Sequence, residues 1–373
     1  MIIYLITFVL CLLSTSLACR AKSKLIRVVF STIAIALPVF LAGLRDITVG
    51  TDTTNYVNIY NEASYYSESS VLYYIASGPD TIEPFFLIYN YVCSLFCNSY
   101  NDYFVVSYFI IITPIYVLAF KNRNLVNPIM SMLIFLFIFY NESLNLMRQY
   151  MALPFILLSM YYVINASKVK SLLFAIIAFL FHNSSVIVLI IYPLLYLLNK
   201  HHLKNHLLLY VLLFASLTVL LLSIDKLGIV SIDSSGRLSM YLGDQSSTLS
   251  MSTVLLNITF FYLALQTSKQ TKTYHLEIEA FAVFALLAFI FNFMSVMSHT
   301  MYRLSLVFSI FSCISIPYII NYRRANRMVA KVQIAPSMIK YFIVILVVTY
   351  WFFSTVIRGS NGTIPYSSSI LNI

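Results

Sequence analysis

The sequence predicts an all-α, polytopic integral membrane protein. Of its 373 residues, 60% are hydrophobic and 10% charged, and the mean hydropathy is +0.87. That leaves far too little polar surface to cover a soluble globule of this size. Apolar runs recur almost from end to end, and no stretch is polar enough or long enough to form a separate soluble domain. The chain reads as a single transmembrane domain, 1–373, of about twelve transmembrane helices with outer loops at 45–84 and 224–250.

In order, the apolar runs fall near residues 2–19, 25–44, 103–120, 126–140, 144–164, 171–181, 184–198, 206–223, 251–267, 278–297, 300–320 and 338–356, with a weaker run at 85–97. A helix rises ~1.5 Å per residue, so the ~30 Å hydrocarbon layer needs roughly 20 residues. The first run has no basic segment before it and is followed by basic residues, which reads as a retained helix rather than a cleaved signal. The net charge of +10 reports orientation rather than nucleic-acid binding, because Lys and Arg in short loops mark the cytoplasmic side.

On that logic all 23 basic residues lie inside except Arg45, Arg148, Lys226, Arg237, Arg303 and Arg358. All 13 acids lie outside except Glu277 and Glu279. Parity then requires the 85–97 run to be re-entrant or interfacial, and 171–181 with 184–198 to form a hairpin turning at His182 to Ser185. Both termini fall outside.

The five cysteines sit in or beside apolar runs, where thiols act as small hydrophobes. Cys93 and Cys97 share a helix face, but lack nearby ligands for a metal or redox pair. No Walker loop, zinc spacing, nucleophile elbow or dinucleotide fingerprint occurs, so no metal and no cofactor is implied.

A few polar residues stand out against this background. Arg45 opens a loop that continues through Gly50, Thr51, Asp52 and Tyr56. An Arg fork and backbone amides beside a glycine suit diphosphate, and a carboxylate suits sugar hydroxyls; the same residues also make a capped turn. Tyrosines between residues 60 and 74 form either a sugar-stacking surface or an interfacial belt. Glu83-Pro84 reads mainly as a helix start.

Arg148, followed by Gln149, lies inside an apolar run, where an arginine costs ~2.5–3.5 kcal/mol on insertion scales. Either Glu142 or a backbone carbonyl compensates it structurally, or it faces a ligand. His182 is either a base for an acceptor hydroxyl or a helix cap. Arg303 is either a second anion clamp or a snorkelling side chain.

Leu44-Arg45, Val49-Gly50-Thr51-Asp52-Thr53 with Tyr56, Glu83-Pro84-Phe85, Met147-Arg148-Gln149 and Phe181-His182-Asn183-Ser184 follow one another across residues 40–200. In that order they resemble the EpsG-like branch of the Wzy-type O-antigen (polysaccharide repeat-unit) polymerases. These join lipid-linked repeat units at the outer face of a bacterial inner membrane. The C-terminal half is similar only in hydropathy.

The resemblance implies a GT-C-like fold and a metal-independent glycosyltransferase. An undecaprenyl-diphosphate-linked oligosaccharide would be the donor, a second one would supply the acceptor hydroxyl, and a chain-length regulator protein is a further partner. His182 is the favoured base and Asp52 the second. Arg148 and Arg303 would hold the diphosphate, with Arg45, Gln149, Thr51 and Tyr56 as further contacts. A flippase for lipid-linked glycans is the rival reading, and would need charged residues along a path through the midplane. A membrane acyltransferase built on His182 or His299 lacks an acidic partner in sequence.

Overall fold

The computed structural model describes residues 1–66, 71–77, 82–165, 167–187, 250–271, 274–296, 299–326 and 336–373, with Tyr192, Leu195 and Leu198. Every regular element among them is helical. The run at 206–223, nearly all of the 224–250 loop and most of the second limb of the 171–198 hairpin lie outside the described residues.

Helices α1 (Ile2–Arg20) and α2 (Lys24–Gly43) form an antiparallel pair. After a polar loop come three short helices, α3 (Thr53–Tyr65), α4 (Val71–Ser77) and α5 (Pro84–Ser94). The long α6 (Tyr100–Lys121) packs on α2. Gly43 permits that approach, since a Cβ there would collide with the Val105 side chain. A capping box starts α6: the Asp102 amide donates to Ser99 Oγ at 3.2 Å, and the Ser99 amide donates to the Asp102 carboxylate at 3.1 Å.

Next, α7 (Pro128–Ile134) runs through a π turn at Phe135–Phe139 into α8 (Tyr140–Ser143). A short turn leads into α9 (Met147–Ile164), which pairs with α10 (Lys168–Phe181). The remaining helices are α11 (Met251–Gln270), α12 (Leu276–Phe293), α13 (His299–Ser309), α14 (Ser312–Ala325) and α15 (Pro336–Trp351).

Six helical stretches among the described residues are long and apolar enough to cross a membrane: Ile2–Arg20, Lys24–Gly43, Tyr100–Lys121, Leu276–Val296, Met301–Ala325 and Ser337–Ile357. The chain is a polytopic membrane protein. Of the twelve crossings read from sequence, those at 184–198 and 206–223 fall on residues largely outside the described ones, and four more do not reach a full apolar span. The Pro128–Ser143 helix is shorter, α10 has 14 residues, α9 carries Arg148 in its first turn, and Ser252, Thr253, Asn257 and Thr259 dilute α11.

Hydrogen bonds between distant segments define two ends of the bundle. At one end the Asn101 amide group donates to the carbonyls of Gly43 (2.7 Å) and Arg45 (3.2 Å). The chain therefore leaves α2 and enters α6 at the same end. The whole 46–100 excursion starts and finishes there, and α5, at 11 residues, extends only about 16 Å. That is about half of the ~30 Å hydrocarbon layer.

The C-terminal tail also lies at this end, strapped over the first loop. The amides of Asp46, Gly50 and Thr51 donate to the carbonyls of Ser367, Gly362 and Asn361. The Tyr4 hydroxyl donates to Thr363 O at 2.9 Å, bringing the start of α1 to the same place. At the opposite end, Tyr161 bonds Asn122 and Arg323 bonds Thr267. That end carries Arg20, Lys121, Lys168, Lys269 and Arg324 at helix termini or in the adjoining turns, whereas Arg45, Arg148, Arg303 and Arg358 lie at the end with the tail.

Candidate functional site

The site forms where the starts of α3, α5 and α9 meet the end of α10. Pro84 begins α5 because a helix's first position needs no amide donor, and this leaves Glu83 at the N-cap with its side chain free for tertiary contacts. His182 ends α10 in extended backbone, φ −157°, which turns its ring out of the helix. The Glu83 carboxylate bridges two partners. Arg148 donates from one guanidinium nitrogen to Oε2 at 2.8 Å, and His182 Nδ1 lies 2.8 Å from Oε1. The Asn183 amide donates to Oε1 as well, at 3.3 Å.

Glu83 is 8% exposed. Burial by itself would raise its pKa, but the hydrogen bond and charge of His182, with the Arg148 guanidinium, more than offset that and hold the carboxyl down at about 2. The Phe86 ring lies 5.7 Å from the Arg148 guanidinium carbon, and the edge of Tyr56 meets Phe86. Tyr56 is buried, its phenol pKa is raised by that burial, and it lies within electrostatic reach of Arg148, Asp52 and Arg303.

Gln149 donates to the Arg303 carbonyl at 2.6 Å, tying the first turn of α9 to α13. Gln149 Oε1 and Arg303 Nε are buried without a hydrogen-bond partner among the described residues. The cluster thus retains an unmatched acceptor and an unmatched cationic donor, which a ligand can meet.

Arg148, Gln149, His182, Arg303, Tyr56 and Asp52 therefore gather at one end. Three sequence expectations change. The compensating partner of Arg148 is Glu83, not Glu142; Glu142 instead accepts from the Tyr150 hydroxyl at 3.0 Å. Arg45 lies apart from the cluster. It is completely buried, donates to the carbonyls of Ala42 (2.6 Å) and Leu144 (3.4 Å), and stacks over Phe104 and Tyr108. Rings and carbonyls surround its guanidinium, with Nε lacking a hydrogen-bond partner among the described residues, and these contacts tie the end of α2 to α6.

The third change concerns the Gly50–Thr51 amides, expected to approach phosphate. They already donate to tail carbonyls, and the Asp52 amide faces Asn145 Oδ1 at 3.5 Å. Gly50 sits at φ +100°, where a Cβ would press on Asn145 and Thr53, so this glycine serves the strap. Thr51 Oγ donates to the Asp52 carboxylate at 3.2 Å on the exposed side. Glu83 itself was readable mainly as a helix start and as part of the Glu83-Pro84-Phe85 motif of the resemblance, and the signal that could have promoted it to a site residue was the unpaired cost of Arg148.

Fold and site together define a class: an all-α polytopic membrane protein with a cluster of charged side chains at one end of the bundle. A family comparison matches the EpsG family over residues 28–368, which takes in every residue of the cluster. The chain belongs to the EpsG family, which is implicated in exopolysaccharide synthesis. No curated protein and no solved structure matches it.

Proposed function

We propose that this protein is a polysaccharide polymerase of about twelve spans in a bacterial inner membrane. It would transfer a growing glycan from undecaprenyl diphosphate to a hydroxyl of another lipid-linked repeat unit at the outer face. The observation that carries this reading is the Glu83 carboxylate shared between Arg148 and His182, which couples an anion-binding cation to a base in one site.

Glu83 at Nδ1 sets the tautomer that leaves Nε2 of His182 as the acceptor. The acceptor hydroxyl gives its proton to Nε2 as its oxygen bonds the anomeric carbon. The bond from that carbon to the phosphate oxygen breaks, and the diphosphate departs with the electron pair. Arg148 and Arg303 offset the charge that grows on it. Asp52, on the rim beside Tyr56, is the second choice of base, and Tyr56, Gln149 and Thr51 line the approach. The face carrying the cluster is the outer one by the positive-inside rule.

The test is Arg148→Ala, with His182→Ala beside it, in cells at wild-type protein level. The expected result is loss of long surface chains with single capped repeats retained. Wild-type chain lengths overturn the reading, and lipid-linked repeats accumulating on the cytoplasmic side favour a flippase.

A further inference from the structure

A second polar opening lies at the same end of the bundle. A cavity of about 230 Å³ is walled by Glu142, Thr253, Asn292, Tyr302, Tyr350 and Arg358, drawn from α8, α11, α12, α13, α15 and the start of the tail. Glu142 is 6% exposed and Asn292 1%. The Tyr150 hydroxyl donates to Glu142 Oε2 and Tyr302 also hydrogen-bonds the Glu142 carboxylate, but Asn292 Oδ1 has no hydrogen-bond partner among the described residues. A buried acceptor left unmatched is costly, and the Glu142 and Asn292 side chains with their acceptor oxygens both belong to the wall of one polar space.

These oxygens cannot be met by an anion or a hydrocarbon chain; they take donors, and hydroxyls fit. The volume is below the ~300–1,000 Å³ of sites for drug-sized ligands, which suits one sugar ring rather than an oligosaccharide. Position adds to the argument. Tyr302 in the cavity wall precedes Arg303, whose carbonyl holds Gln149. Tyr150, which holds Glu142, comes two residues after Arg148. The cavity and the charged cluster are thus built on the two sides of the same helix starts.

We propose that the cavity is a monosaccharide seat: one sugar residue docks there with hydroxyls donating to Glu142 and Asn292, while its diphosphate lies against Arg148 and Arg303. Its identity as a glycan site rests on the polymerase reading.

The test uses the full-length protein in detergent micelles and saturation-transfer NMR with free glucose, galactose, N-acetylglucosamine, mannose, rhamnose and glucuronic acid in turn. At least one sugar is expected to receive saturation through its ring protons. That signal should fall tenfold or more with Asn292→Leu, which removes the acceptor at similar volume, and with Thr253→Phe, which fills the space. Arg148→Ala should keep it. Absence of saturation from every sugar with wild-type protein, or equal signal in folded Thr253→Phe, overturns the seat and leaves a cavity that holds water. The two readings fail separately: chain lengths unaffected by Arg148→Ala sink the polymerase, whereas lost chains with an unaltered Thr253→Phe signal sink only the seat.

Discussion

Two arginines on the same end of the bundle have opposite fates, and their neighbours decide which. Arg45 is enclosed by rings and carbonyls, while the Arg148 side chain keeps 22% exposure and a carboxylate partner. Arg45→Ala is expected to lower stability by ~3 kcal/mol, since it strips two buried carbonyls of their donor and leaves a cavity. Thermal melting in detergent and protein abundance should show the loss, with chain lengths per molecule unchanged; shortened chains at normal abundance would return Arg45 to the substrate.

Glu83→Gln should cost on the order of 2 kcal/mol, less than the roughly 3–5 of a fully buried pair because Arg148 is partly exposed. The sign with pH follows from a folded pKa depressed from 4.5 to about 2. The carboxylate's contribution is complete above about pH 4.5 and disappears as pH falls toward 2. The melting gap between wild type and Glu83→Gln should therefore hold steady from pH 8 to 5 and close in acid; a gap that widens in acid contradicts the assigned ion pair. Arg148 was legible from its cost in an apolar run. Its partner was not, because Glu83 stands 65 positions away and only the fold brings them together.

Among elements, the long apolar helices α1, α2 and α6 were readable from hydrophobic runs alone, and charge parity asked for a re-entrant or interfacial 85–97 run, with which an 11-residue α5 is compatible. The C-terminal strap was not. Residues 359–373 are aperiodic, and besides local bonds such as Ser368 N–H to Ile373 O they are held by bonds to positions more than 200 residues away, among them Asn145 Nδ2 to Asn361 O at 2.8 Å. Ser369 completes the strap by donating twice to the Asp46 carboxylate, at 2.8 and 2.6 Å. These two hydrogen bonds hold the Asp46 carboxyl below the ordinary carboxylate range. Truncation after Arg358 removes the acceptors of the Asp46, Gly50 and Thr51 amides. Hydrogen exchange in a peptide covering 44–53 is expected to speed up by tenfold or more, while peptides from α6 stay protected; unchanged exchange at 44–53 would mean that the loop holds its shape without the tail.

At the scale of the whole molecule, a single site requires that the chain return to the same membrane face between α2 and α6, and this has a direct chemical test. Thr48 and Asn98 are both exposed and stand on either side of the α3–α5 excursion, whereas Asn165 is exposed at the opposite end of the bundle between α9 and α10. The native thiols at Cys11, Cys93, Cys97 and Cys313 are buried, leaving Cys19 as the background, also at that opposite end. Thr48→Cys and Asn98→Cys should both react with a membrane-impermeant maleimide added to intact spheroplasts. Asn165→Cys should react only after permeabilisation, because the Lys- and Arg-rich end faces the cytoplasm under the positive-inside rule. If Asn98→Cys needs permeabilisation while Thr48→Cys does not, then α5 crosses, and Arg148 and His182 cannot share one face with Asp52 and Glu83. Labelling of both from outside puts the charged cluster and the polar cavity on the face where a lipid-linked acceptor would meet its donor.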